Sequence, residues 1–308
     1  MAGITFDILI NTGFADICTV EGLSPLDNKS VLSLLNDFED GEWRKQRFLE
    51  YVWNNIAETA LSKKERESLI GSPHTMLVKS AKNLRLLETD ERGRGSEIAE
   101  ILLYGIMKDY YKALPVVPKI FHKQNRNDYA KGADSVHIVI SDDLKDFSLW
   151  FGEAKFYKNL GSEDLDVIVN SVKNSLDSEK IKKENSIITD LRDLDGYNMP
   201  DDLRNRIYEY LSQDKSLDYL KPKLHIPILL LHQCGKTASA TLIDDSYRNK
   251  IVKKHYKKAN EYFVKQVAAL KDVVHMYESI QFHLILFPVP DKEAIVDDFL
   301  NVATVYRK

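Results

Sequence analysis

Apolar and polar positions along this chain recur with two periods, about 3.6 and about 2, and the switches between them mark its elements. From residue 93, "GRGSEIAEILLYGIMKDYY" is apolar on most sides and predicts a buried helix, ended by Pro115 and Pro118. "KIFHKQ" (119–124) predicts a short strand. "ADSVHIVI" (133–140) and "FSLWFGEAKFY" (147–157) predict two more, joined by the acidic turn "SDDLKD". A helix is expected over 162–178 with Ser162 as its N-cap. The polar residues 180–222 read as a helical insertion and "LHIPILLLH" (224–232) as a buried strand. A long helix over 247–275 and a last strand, "IQFHLILFPVP" (280–290), follow. The order is helix, three strands, helix, strand, helix, strand. It predicts an α/β (α+β) fold with a central mixed sheet flanked by helices.

The first 90 residues read as a separate small α+β region. "ITFDILI" predicts a strand, and 42–61 a helix with Trp43, Phe48, Leu49, Val52, Trp53, Ile56 and Ala57 on one face. Ser62 and Glu65 form the pattern of a capping box opening another short helix. The expected division is therefore 1–90, a region able to contact a partner, and 91–308, carrying the chemistry.

Charge changes this picture little. Lys+Arg is 43 and Asp+Glu 47, a formal net charge of −4. Nucleic-acid binding would thus need a local basic groove rather than a global field. Cys18 and Cys234 stand far apart with no CxxC or His spacing, which argues against a zinc site and a disulfide framework. The N-terminus lacks a signal-peptide pattern, and no apolar run approaches the roughly 18–20 residues of a membrane span. A cytoplasmic protein is expected.

Two charges inside "LWFGEAKFY" carry the candidate chemistry. Glu153 and Lys155 point to the same side of their strand as Phe147, Leu149 and Phe151. Pairing Ile140 with Phe147 across the turn sets Asp134 opposite Glu153, at the end of the stripe Val136, Ile138, Ile140. Like charges directly opposite on a sheet repel, and burial penalises each of them. A divalent cation between them removes both penalties. Hard oxygen donors suit Mg²⁺ (or Mn²⁺), which binds through one or two carboxylates, waters and substrate phosphate. Lys155 would stabilise developing charge or orient an attacking water.

"GAD", followed 19 residues later by "EAK" at the end of an aromatic strand, resembles the PD-(D/E)XK nuclease core. The match covers roughly residues 93–232, with Ala133 where the signature has proline. The wording "RGSEIAEILLY", "GADSVH" and "LWFGEAKFY" more closely resembles the HamA proteins, effector nucleases of the Hachiman anti-phage defence system. The resemblance implies a restriction-endonuclease-like fold, metal-dependent DNA hydrolysis and control by HamB, a superfamily 2 helicase. It also implies a third metal carboxylate from the first helix, for which Glu97 and Glu100 both qualify. Glu97 lies in the first turn, where the helix dipole alone accounts for an acid, so Glu100 is preferred.

Lys123, Arg126 and Lys131, in the turn before Asp134, and Lys158, after the motif, are candidates for DNA phosphates. The basic run "YRNKIVKKHYKK" (247–258) reads as a solvated helix face, with phosphate contact as the minority reading. "CGKTAS" lacks the first glycine of a phosphate loop and reads as a plain loop. His122, His137, His225, His232 and His283 read as core or edge histidines. The competing account is a non-catalytic adaptor that keeps the nuclease fold to dock on a helicase.

Overall fold

The computed structural model describes residues 4–85, 95–117, 120, 133–182, 194, 199–212 and 214–308. The N-terminal part contributes β1 (Asp7–Gly13), β2 (Lys29–Leu35), the short β3 (Phe38–Glu39) and β4 (Glu42–Trp43), α1 (Lys45–Ala60), α2 (Lys63–Ser68) and α3 (Pro73–Asn83). Next come α4 (Ser96–Asp109), β5 (Leu114–Val117), β6 (Ser135–Ile140), β7 (Phe147–Tyr157), α5 (Ser162–Ser175) and α6 (Asp201–Leu211). The chain closes with β8 (Leu224–Gln233), α7 (Gly235–Ala238), α8 (Asp245–Leu270), β9 (Gln281–Val289) and α9 (Lys292–Arg307).

One seven-stranded mixed sheet organises these elements, in the order β1-β2-β9-β8-β7-β6-β5. The inner strands β2, β9, β8 and β7 run parallel, and the ends pair antiparallel. Strands covered on both faces need consecutive apolar side chains, and "IPILLL" in β8 supplies them. On one face α5 and α8 cover Val136, Ile138, Leu149, Phe151, Ile228 and Leu230. On the other, α1, α4 and α9 cover Trp150, Ala154, Phe156, Leu229 and Leu231.

The N-terminal residues are not a separate region. β2 pairs in parallel with β9, and Phe48, Val52 and Ile56 of α1 share a core with Ile98, Leu102 and Phe299. The strands β1 and β2 are too few to close a core alone, and only a partner some 250 residues on completes their sheet. α1 approaches α4 closely at Gly105, where a Cβ would lie 2.7 Å from the Tyr51 ring. The expected capping box is present, with Ser62 Oγ accepting from the Glu65 N–H and Glu65 accepting from the Ser62 N–H.

Three further elements differ from the sequence reading. α4 ends at Asp109, and a strand not expected from the sequence, β5, spans Leu114–Val117; of the strand expected over 119–124 only Ile120 is among the described residues. Pro115 is acceptable there because β5 is the edge strand and a proline's missing N–H costs no ladder bond on the open side. α5 begins at Ser162 itself, and Asp164 accepts from the Gly161 N–H one residue earlier. Within 180–222 the described part does contain a helix, α6, with Leu203, Ile207 and Leu211 buried. Among the described residues no helix is long and apolar enough to cross a membrane.

Candidate active site

The hairpin β6–β7 pairs from Ile140↔Phe147 to Ser135↔Gly152, in the register that the alternation predicts. At Asp134 the ladder stops. Its N–H donates to Gly152 O at 2.8 Å, and its carboxylate accepts from the Ala154 N–H at 3.0 Å. Asp134 is therefore locked to β7 by its side chain, beyond the last regular pair. Close packing helps hold this end: a Cβ on Gly152 would sit 2.2 Å from Ser135 Oγ and 2.7 Å from Leu103 Cδ2.

Lys155 Nζ lies 3.2 Å from Asp134 Oδ2 and 3.9 Å from Glu153 Oε2. Glu153 is 3% exposed, Asp134 13% and the lysine 29%, so the cluster opens to solvent at its cationic end. Burial acts to lower the Lys155 pKa, but Asp134 and Glu153, with a smaller contribution from Glu100, hold it above the ordinary lysine value. At neutral pH Lys155 is a cation and a hydrogen-bond donor. Glu100 thus reaches the cluster electrostatically from α4, while Glu97, one turn earlier, accepts from the Arg85 N–H at 2.7 Å.

Two neighbours were not legible in the sequence. Ser171 Oγ on α5 donates at 2.7 Å to Glu153 Oε2, the same oxygen that lies 3.9 Å from Lys155 Nζ. Tyr262 on α8 is fully buried, and its hydroxyl finds no hydrogen-bond partner among the described residues. Burial pushes its pKa far up, and Tyr277, Glu153 and Tyr157 push it further. No motif spacing links either residue to Glu153; packing of α5 and α8 on this face brings them in.

Three carboxylates act on the Lys155 ammonium here, Asp134 and Glu153 more strongly than Glu100. Among the described residues no group of three His, Cys, Asp or Glu side chains closes into a ligand cluster. Two converging carboxylates still match Mg²⁺, which completes its shell with water and phosphate oxygen. The donor set fits a hard divalent cation. Lys158 is exposed, whereas Lys123, Arg126 and Lys131 lie outside the described residues. "CGKTAS" forms the single turn α7, with Thr237 buried against the Tyr247 hydroxyl at 3.0 Å.

A profile of the HamA family matches residues 12–303, nearly the whole chain. The chain belongs to the HamA family. It is a protein of the Hachiman defence system, and the hairpin lies well inside the matched span. Comparison with curated proteins gives no match.

Proposed function

We propose that this HamA protein is a metal-dependent deoxyribonuclease, the effector that Hachiman defence releases on DNA under control of a HamB-like superfamily 2 helicase. One observation carries the nuclease reading: Asp134 and Glu153 converge on Lys155 at the end of an otherwise apolar sheet face, with Glu100 close behind. Burying carboxylates at the end of a strand costs solvation energy and suits a site built for a cation. The helicase partner rests on family membership alone.

In this reading Asp134 and Glu153, assisted by Glu100, hold Mg²⁺ or Mn²⁺. The ion supplies charge neutralisation at phosphorus and a water of lowered pKa. Lys155, kept protonated by its neighbours, orients the attacking water and stabilises charge on the non-bridging oxygens. Asp134 is fixed by the Ala154 N–H and Glu153 by Ser171, so both carboxylates are set before substrate arrives. Ser171→Ala should leave the fold intact and reduce cleavage by about 10-fold to 100-fold, with Ser171→Thr restoring much of it. An unchanged rate for the alanine variant would show that the serine does no positioning.

The substrate class is tested with DNA and RNA of matched length and sequence, incubated with the full chain in Mg²⁺ or in EDTA. Metal-dependent cutting of DNA with RNA left whole is the expected result. Cutting of RNA alone, or cutting that persists in EDTA, would overturn the deoxyribonuclease reading.

A further inference from the structure

The long helix α8 meets the face of the sheet that carries Glu153 and Lys155, then extends past it. Tyr262, Phe263 and Val267, toward its C-terminus, join the core under that face. Its N-terminal half lies at the C-terminal ends of the parallel strands, because β8 enters it through only the short α7. His255 in that half contacts His232 at 3.1 Å. His232 is the register partner of Tyr157, two residues beyond Lys155.

Lys250, Lys254 and Lys258 recur every four residues on one flank of this half, with Lys257 seven residues after Lys250, so all four share a side of the helix. Further along the same flank, Lys265 holds Asp166 of α5 at 2.7 Å, and α5 is the helix that supplies Ser171 to Glu153. Arg248, on the other flank, pairs instead with Asp7 in β1.

A solvated basic helix usually pairs its cations with acids one turn away. Here Glu261 meets Lys258 at 2.6 Å and Lys257 at 3.8 Å, and the row is otherwise uncompensated. Among the described residues no carboxylate lies within ion-pair distance of Lys250, Lys254 or Lys236. Lys254 donates to Cys234 Sγ at 3.3 Å, and Lys236 of α7 donates to the Lys250 carbonyl at 3.2 Å. These neighbouring like charges repel one another on a protein whose net charge is −4. A polyanion lying along them would remove the repulsion.

We infer that this flank of α8, with Lys236 beside it, is the track for a nucleic-acid phosphate backbone, leading toward Lys158 and Lys155. The substrate path of the proposed nuclease would run along it, so its role in cutting rests on that reading. Its binding does not, and can be measured with no metal and no cleavage.

The test is fluorescence anisotropy of a labelled DNA duplex with the full chain in EDTA, across a series of salt concentrations. The variant Lys236→Gln, Lys250→Gln, Lys257→Gln changes exposed residues only. It should bind at least about tenfold more weakly, with the slope of log affinity against log salt shallower by about 2 to 3. Lys254→Gln, made separately, should weaken binding in the same direction. Lys64→Gln, Lys79→Gln, Lys82→Gln makes the same net charge change on α2 and α3, and should bind like the wild type. Equal loss in both triple variants would reduce the effect to net charge and overturn the track. So would unchanged binding in the α8 variant, or no binding by the wild type. A wild type that binds through this row yet never cuts would leave the track standing and sink the nuclease instead.

Discussion

Glu153→Gln should abolish DNA cleavage while leaving the protein as stable as the wild type or more so. The carboxylate is buried within 3.9 Å of the lysine, and Asp134 and Glu100 act on that same ammonium. Glutamine keeps a side-chain oxygen for Ser171 and removes one of three crowded negative charges. Loss of a metal-binding carboxylate should lower the rate by about a thousandfold or more, given that a single preorganised electrostatic contact is worth about 10² to 10³. Lys155→Met should behave differently. It also abolishes cleavage, but it removes the ammonium that Asp134 and Glu153 contact and costs about 2 to 3 kcal/mol, less than a fully buried pair because the ammonium is partly exposed. For a chain of this size that is a fall in Tm of about 5 °C. Mn²⁺ should restore part of the loss in Lys155→Met and raise the wild-type Tm, since a ligand bound only by the folded state stabilises it. It should do neither in Glu153→Gln. Thermal melts with and without Mn²⁺ read both variants and the wild type without reference to activity. Equal melting of Lys155→Met and wild type, or no response to Mn²⁺ in either, would count against a cation site at this hairpin.

Acid should unfold the protein well above the pH at which its carboxylates protonate. His137, His232 and His255 are 1%, 0% and 0% exposed. Burial drives the pKa of His137 and of His232 down to about 3, and that of His255 well below the ordinary value. The hydrogen bonds fix the neutral tautomers. His232 Nδ1 faces the Gln233 carbonyl at 3.3 Å and must donate, so its Nε2 accepts from His255 Nε2 at 3.1 Å. His255 Nδ1 is then left to accept from Ser33 Oγ at 2.7 Å. A proton added to His232 Nε2 would set two N–H groups against each other.

The direction follows from linkage. Below the ordinary histidine pKa of 6.5 the unfolded chain takes up protons that the folded chain refuses until about pH 3. The stability these histidines allow is complete above 6.5 and falls as pH drops through that window. Three such groups can lower it by up to about 4 kcal/mol per pH unit. Urea midpoints should therefore drop steeply between about pH 6.5 and about pH 5. His137→Leu, which removes one of the three, should flatten the slope by about 1.4 kcal/mol per pH unit. A midpoint constant over that window would mean that these rings can charge in the folded state.

What the sequence made legible is what local pattern can carry. Strict alternation in "SVHIVI" and "FSLWF" put Val136 and Leu149 inward, and the short turn left one register compatible with both strands. That brought Asp134 to the end of β7 beside Glu153. It did not reveal that Asp134 leaves the ladder and bonds the Ala154 N–H through its side chain, which depends on how the strand ends. Glu97 and Glu100 both qualified on the helix, and in the fold Glu100 acts on Lys155 while Glu97 accepts from the Arg85 N–H. Residues 1–90 looked independent because β2 finds its neighbour β9 only in three dimensions. The lysines of α8 read as a solvated face for the same reason: position along the chain says nothing about which flank of a helix turns toward α5.

Cleavage of DNA by this HamA protein with a metal held at the β6–β7 hairpin is what separates an enzyme from a docking scaffold. Its most direct test is the conversion of supercoiled plasmid by the full chain in Mg²⁺, in Mn²⁺ and in EDTA, beside Glu153→Gln. The same reactions are run with the partner helicase, ATP and free DNA ends. Nicking or linearisation that needs metal, and that Glu153→Gln lacks, is the predicted result. Intact plasmid under every condition, or equal cutting by Glu153→Gln, would contradict it, and the first outcome would leave the fold as a docking scaffold for the helicase.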